Sequence, residues 1–572
     1  MARGWPYALF STVLSLLLLL FADSRLHAQD ISRSQARSLV ISRFGIVATS
    51  QTVASQAGAA ILDRGGSAGD AAIAANAVLG VIEPMMNGAG GDLFAIVYDA
   101  KDGKVYGLNS SGWSPGAATI ESYRSRAVNG EIPPRSVLAV TVPGAVAGWE
   151  ALSKRFGKLR LADVLTPAIY FARNGVPITE FDAAVWKASV ALLQKQPGFL
   201  ATYAPSGRAP ASGEIFRDEP LAKSLELIAR DGRNGFYRGA TAERIVHCLN
   251  QLGNPMSMQD LDDFQPEWVE PISTTYRDWR VWELPPNGQG IAALSMLNIM
   301  EEFPLARYGH NSAEALHVMI EAKKLAYADL IKYVGDPRFR KIPVEELLSK
   351  NLGRQRAKLI QPNTARCTVL PSEISSKLNA IGKDTTYLSV VDREGNMVSL
   401  IQSNYSAFGT GIVAPGTGFV LHNRGASFTL RPGEPNSLEP HKRPLHTIIP
   451  AFMEKGGTEI AFGIMGGFNQ AQAHAQFVSN VVDFGMNIQA ALEAARFTKL
   501  TFEGCDVAVE SGIPEGVLAQ LRAKGHQLQV CGRFSQTMGR GNAVMRDEHG
   551  TFYGASDPRG DGEAIPQTAP FF

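Results

Sequence analysis

Lys383-Asp384-Thr385-Thr386-Tyr387-Leu388-Ser389-Val390-Val391-Asp392 alternates in period two with β-branched and aromatic side chains, the pattern of a strand. Asp392-Arg393-Glu394-Gly395-Asn396 is a turn signal, and Met397 to Ser403 reads as the returning strand. With a three-residue loop and Gly395 in the left-handed position, pairing is symmetric about Glu394 and Thr385 faces Ser403 across the ladder. Two hydroxyls are expected at one strand end.

A threonine hydroxyl is a poor nucleophile inside a chain. At the start of a chain it has a base beside it, a free α-amine with a pKa of roughly 8. Attack of the Thr385 hydroxyl on the Asp384 carbonyl would form an ester, and water would open it to leave Thr385 first in its fragment. Most paired threonines at a strand start are only structural, so the wider sequence carries the argument.

Asp384-Thr385-Thr386, Ser389 to Asp392 and Phe408-Gly409-Thr410-Gly411-Ile412-Val413 together resemble the start of the small subunit of the γ-glutamyltransferases, which are N-terminal-nucleophile hydrolases. Further resemblances follow in order along the chain. They are the small-residue helix after Ser67-Ala68-Gly69-Asp70 with Gly88-Ala89-Gly90-Gly91-Asp92, Val142 to Trp149, Leu284 to Gly290, Ala322 to Asp329, and Gly554 to Arg559. The resemblance implies a four-layer αββα N-terminal-nucleophile sandwich of the α/β (α+β) class, made from a large subunit (29–384) and a small subunit (385–572) in one intertwined domain. Asp384 and Thr385 are then the autocleavage pair. Thr385 is the expected catalytic nucleophile, Ser403 its orienting hydroxyl where the family usually has threonine, and Gly466 and Gly467 the oxyanion hole.

Residues 1–28 have Arg3, an apolar run at Leu16 to Phe21 and Ala28 before Gln29, which reads as a secretory signal peptide and a periplasmic or secreted protein. Removal leaves about 540 residues, enough for a large core. A formal net charge of +1 in 572 residues, without a long basic run, excludes a nucleic-acid partner. The mature protein is expected off the membrane. Gly88 to Asp92 lacks the lysine of a phosphate loop and follows a helix rather than a strand. Cys248, Cys367, Cys505 and Cys531 show no zinc spacing, and no metal or cofactor is expected. Cys505 and Cys531 flank one strand-helix-strand unit and are a candidate disulfide, with unlinked core thiols as the alternative. Polar residues from about 340 to 384 suggest an exposed connector.

The expected partners are a small-molecule amide, then water or an amine as acceptor, with the two cleaved subunits associating. Departures from the family concern the acyl clamp. The arginine that holds a glutamate carboxylate falls at about Ser111, the serine pair becomes His446-Thr447, the acidic position falls near Ser427, and an asparagine becomes Tyr405. Arg424 is new at that place, and a guanidinium can take a carboxylate in bidentate fashion. The segment from Pro432 to Lys442 is short, and the loss of a longer lid should open the pocket. This resembles the branch with cephalosporin acylase-like and oxamate amidohydrolase-like members. The nominal activity is hydrolysis or transfer on γ-glutamyl compounds such as glutathione. An acylase for dicarboxylate-type acyl amides, glutaryl or oxamate-like, is the alternative, and an inactive binding protein on the same fold the second.

Overall fold

The strand Asp384–Val391 and its return Met397–Tyr405 form a hairpin whose partners sum to the symmetry about Glu394, from Thr386 opposite Gln402 to Val391 opposite Met397. Gly395 has φ +88, the left-handed turn position. The register slips between Asp384 and Thr386, with Asp384 opposite Tyr405, so the ladder bulges at Thr385 itself. The computed structural model describes residues 35–371, 384–499 and 501–570, and the expected signal peptide at 1–28 lies outside them.

Alternation along the hairpin buries both faces. Tyr387, Val391, Met397 and Ile401 point to one side, with Phe94, Ile96, Phe452, Ala461 and Val544. Leu388, Val390, Val398 and Leu400 point to the other, against the helices Thr52–Asp63 and Ala68–Ile82. The first set forms an apolar layer between two seven-stranded sheets. The second set seals the outer face of one sheet. The helices Gly290–Met300, Ala313–Tyr333 and Gln470–Val482 cover the other. This is the expected αββα sandwich.

The nucleophile-bearing sheet runs Glu563–Pro566, Ile46–Thr49, Asp384–Val391, Met397–Tyr405, Asp92–Asp99, Lys104–Ser110, Glu267–Val269. The second runs Val40–Ser42, Phe552–Ser556, Gly541–Arg546, Thr458–Ile464, Ala451–Lys455, Trp279–Glu283, Ile272–Tyr276. Both are antiparallel throughout. Each mixes strands from before and after Asp384, so residues 37–572 form one compact unit rather than two. The small-residue helix Ala68–Ile82 begins at a capping box in which Ser67 Oγ accepts from Asp70 N at 3.1 Å and Asp70 accepts from Ser67 N at 3.0 Å.

Two expectations change. Cys505 is joined to Cys367, not to Cys531. Cys505 precedes the strand Asp506–Glu510, whereas Cys531 ends the parallel strand Gln527–Cys531 opposite Glu510. Five residues of extended chain, about 17 Å, hold the two apart. The polar connector, whose residues 372–383 lie outside the described residues, is also partly built in up to residue 371. It carries the helix Lys350–Ala357, and around Cys367 Ala365 N donates to Lys524 O (2.7 Å) and Lys324 Nζ to Arg366 O (2.6 Å). In the C-terminal stretch Gly554 to Arg559, Arg559 is bonded to Asp557 at 3.0 Å and also to Glu510.

Candidate active site

Thr385 is buried at the bulge, and its hydroxyl donates to Ser403 Oγ at 3.2 Å. Ser403 Oγ in turn donates to the Asp384 carbonyl at 2.9 Å and accepts from Tyr405 N at 2.7 Å. One serine hydroxyl therefore touches both the hydroxyl and the carbonyl that self-cleavage would join. Neighbouring Thr386 is turned the other way, donating to buried Glu83 at 2.8 Å, and Glu83 is paired with Arg540 at 3.1 Å.

Arg424 reaches this centre from the turn Arg424–Ser427. Its Nη2 donates to Ser403 Oγ at 3.2 Å and its Nη1 to Thr447 Oγ1 at 2.8 Å, with the guanidinium 4.1 Å from the centre of the Tyr405 ring. Arg424 is fully buried, and desolvation pulls its pKa down to about 10 against the raising influence of Tyr405 and Asp92. Among the described residues no carboxylate lies within ion-pair distance of it. Ser427 adjoins the Tyr405 phenol. Arg424, Tyr405, Thr447, Ser427 and Ser403 thus come together as the sequence suggests, whereas Ser111 bonds Asn109 and Asn287 rather than any of these.

His446 stands behind the clamp. Its Nε2 meets Asp92 Oδ2 at 3.0 Å and its Nδ1 accepts from Ile448 N at 3.3 Å, which assigns the proton to Nε2. Burial and then the Arg424 charge push the ring down to about 3, so it is neutral. Asp92 is the residue that sequence reasoning missed. Burial alone would raise its carboxyl, but His422, the His446 bond and Arg424 hold it down to about 2. It also accepts from Gly112 N (2.9 Å) and Gly144 N (3.1 Å). A single acidic residue closing the Gly88 to Asp92 turn was the available signal. Those glycines serve close packing: a Cβ on Gly91 would stand 2.7 Å from Ser403 O.

Gly466 (φ +133) and Gly467 (φ +61) turn the strand Thr458–Ile464 into the helix Gln470–Val482. Only glycine adopts the first of these without strain. Gln289, also missed, donates from Nε2 to Gly467 O (2.8 Å) and to Thr447 O, tying the glycine turn to the clamp. His474 supports the same turn, accepting from Ile464 N at 3.0 Å and meeting Glu283 at 2.7 Å.

The clamp residues are all buried. A cavity of about 190 Å³ opens at Asp384, lined by Met86, Phe181, Val185, Met465, Gln536 and Arg540. Elsewhere, His317, Glu321 and His526 group their ligand atoms within 4.8 Å, but Lys324 already pairs with Glu321 at 2.5 Å and supplies the countercharge.

Fold and site together define an amide hydrolase of the N-terminal-nucleophile class. The chain belongs to the γ-glutamyltranspeptidase family, whose pattern it matches over residues 54–567. It is 38% identical to the glutathione hydrolase-like YwrD proenzyme of Bacillus subtilis, with 92% of this chain and 99% of that one covered. It is 34% identical to the oxamate amidohydrolase proenzyme of Klebsiella pneumoniae, over 92% and 98%. Among solved structures it is similar to a cephalosporin acylase from Bacillus halodurans, with TM-score 0.86, 41% identity and coverage of 95% and 99%. No helix among the described residues is long and apolar enough to cross a membrane.

Proposed function

We propose that this protein is an exported, self-cleaving amide hydrolase and acyltransferase. Removal of 1–28 and scission between Asp384 and Thr385 yield subunits 29–384 and 385–572. The observation that carries this reading is Ser403, whose oxygen receives the Thr385 hydroxyl while its own proton lies on the Asp384 carbonyl. Thr385 Oγ1 attacks that carbonyl carbon, the C–N bond breaks, and the released α-amine takes the hydroxyl proton. Water then opens the ester and restores the hydroxyl. In the mature enzyme the α-amine takes the Thr385 proton and returns it to the leaving amine of a substrate, with Gly466 and Gly467 facing the oxyanion. Water or an amine then takes the acyl group.

Relatives bearing glutathione hydrolase, oxamate amidohydrolase and acylase names support small acyl amides as the substrate class. A second reading, an acylase for amides of dicarboxylic acids, is favoured by the altered clamp and by a buried guanidinium without a carboxylate. Both terminal nitrogens of Arg424 are committed to hydroxyls, so it contributes positive potential more than an open fork.

Intact mass under denaturing, reducing conditions tests the self-cleavage. Two species are expected, the smaller beginning at Thr385, and Thr385→Ala should give one. A Thr385→Ala chain that still divides would remove Thr385 as the agent.

A further inference from the structure

The carboxylate of Asp384 has its own seat. Asp384 Oδ2 accepts from Ala407 N at 2.8 Å. The neighbouring amides of that loop are spoken for: Ser406 N donates to Asn423 Oδ1 (3.1 Å), Phe408 N to Met85 O (2.8 Å) and Gly409 N to Ser406 O (2.6 Å). Arg135 braces the same loop, its Nη1 donating to Ala407 O at 2.9 Å and to Gly409 O, and its guanidinium feels the Asp384 charge. The loop thus presents one amide to the carboxylate, and Arg135 behind it adds positive charge nearby.

That carboxylate belongs to an acyl group. The carbonyl of Asp384 is the one Ser403 holds for Thr385, and its side-chain carboxylate stands two carbons away along the chain. In chemical terms the Asp384–Thr385 bond is an amide of a four-carbon dicarboxylic acid. When self-cleavage turns Asp384 into a chain end and a substrate takes its place, the half-buried Ala407 N–H is left to a new acceptor, which the carboxylate of an acyl group can supply. The cavity beside Asp384 leaves room for the exchange.

Resting on the Thr385 reading above, we infer that Ala407 N–H and Arg135 form the subsite for the distal carboxylate of the acyl group, and that the enzyme prefers amides of succinyl-type, four-carbon acids. The precursor carries its first substrate within its own chain. A glutaryl group is one carbon longer than the seat requires, and an oxalyl group, the acyl part of oxamate, two carbons shorter.

The test uses the purified, processed protein and three p-nitroanilides: succinyl, glutaryl and the neutral isostere butyryl. Succinyl should exceed butyryl in kcat/KM by about tenfold or more, the scale of one charge-assisted contact, and should also exceed glutaryl. Arg135→Gln should narrow the succinyl-to-butyryl ratio about fivefold or more, chiefly through KM. Free succinate should compete with substrate on the unaltered enzyme better than butyrate, a measurement that does not depend on the variant folding. A processed enzyme that treats succinyl and butyryl alike, or turns over neither, overturns the subsite and leaves Thr385 as the cleaving residue. A chain that never divides overturns both.

Discussion

Ser403 shows how much a single side chain can link: its oxygen touches Thr385, Tyr405 N and Arg424, and its proton lies on Asp384 O. That convergence was legible in part, because loop length and strand period bring Thr385 and Ser403 to one strand end, although the ladder itself bulges there. Arg424 was legible as a cation near the site but not as a buried one. Its partners, Ser403 and Thr447, lie 21 and 23 residues away along the chain, and only packing brings them together. Asp92 supplies the countercharge from beyond ion-pair distance, and the neutral His446 it bonds lies 354 residues away along the chain. They also give a pH test. The His446 pKa falls from 6.5 to about 3 on folding, so the unfolded chain binds a proton below 6.5 that the folded ring refuses. The stability from this group is complete above 6.5 and declines as pH falls toward 3, by about 1.4 kcal/mol per unit. Asp92, depressed from 3.8 to about 2, changes only below about pH 3.8, under the range from pH 7.5 to pH 5. In the single-chain Thr385→Ala background, the stability gap between His446 and His446→Gln should therefore shrink by ~2 kcal/mol from pH 7.5 to pH 5, measured by urea denaturation.

The hairpin depends on its neighbours for position. Tyr387 projects into the layer between the sheets, where its hydroxyl bonds Ser399 Oγ at 2.8 Å and its ring lies against Gly463. A Cβ on Gly463 would stand 2.4 Å from that ring, too near for contact. Gly463→Ala should cost about 1–3 kcal/mol by overpacking. Because Tyr387 is two residues from Thr385, the variant should also cleave itself more slowly. Denaturation midpoint and cleavage half-time report the two effects separately, and a stable variant with unchanged half-time would show that the strand is not held from this side.

Seen whole, the two segments share both sheets, so cutting after Asp384 removes no strand from either. They share a covalent link as well, because Cys367 lies before the cut and Cys505 after it. The processed protein should migrate as one band on a non-reducing denaturing gel and as two after reduction, and Cys367→Ser should give two in both. Two bands from the unaltered protein without reductant would mean the bridge does not form. Such a link makes reassociation of the fragments intramolecular.

The hairpin and its register, the capped helix Ala68–Ile82, the glycine turn at Gly466 and the family were determined by sequence, since each depends on local spacing or on motifs that stand in order along the chain. The bulge at Thr385, the countercharge of Arg424, the partner of Cys505 and the seat of the Asp384 carboxylate were decided by tertiary structure. Each joins groups far apart in the chain. Spacing carries no distance information for them, and burial, which sets the cost of a lone charge or amide, exists only once the layers have packed.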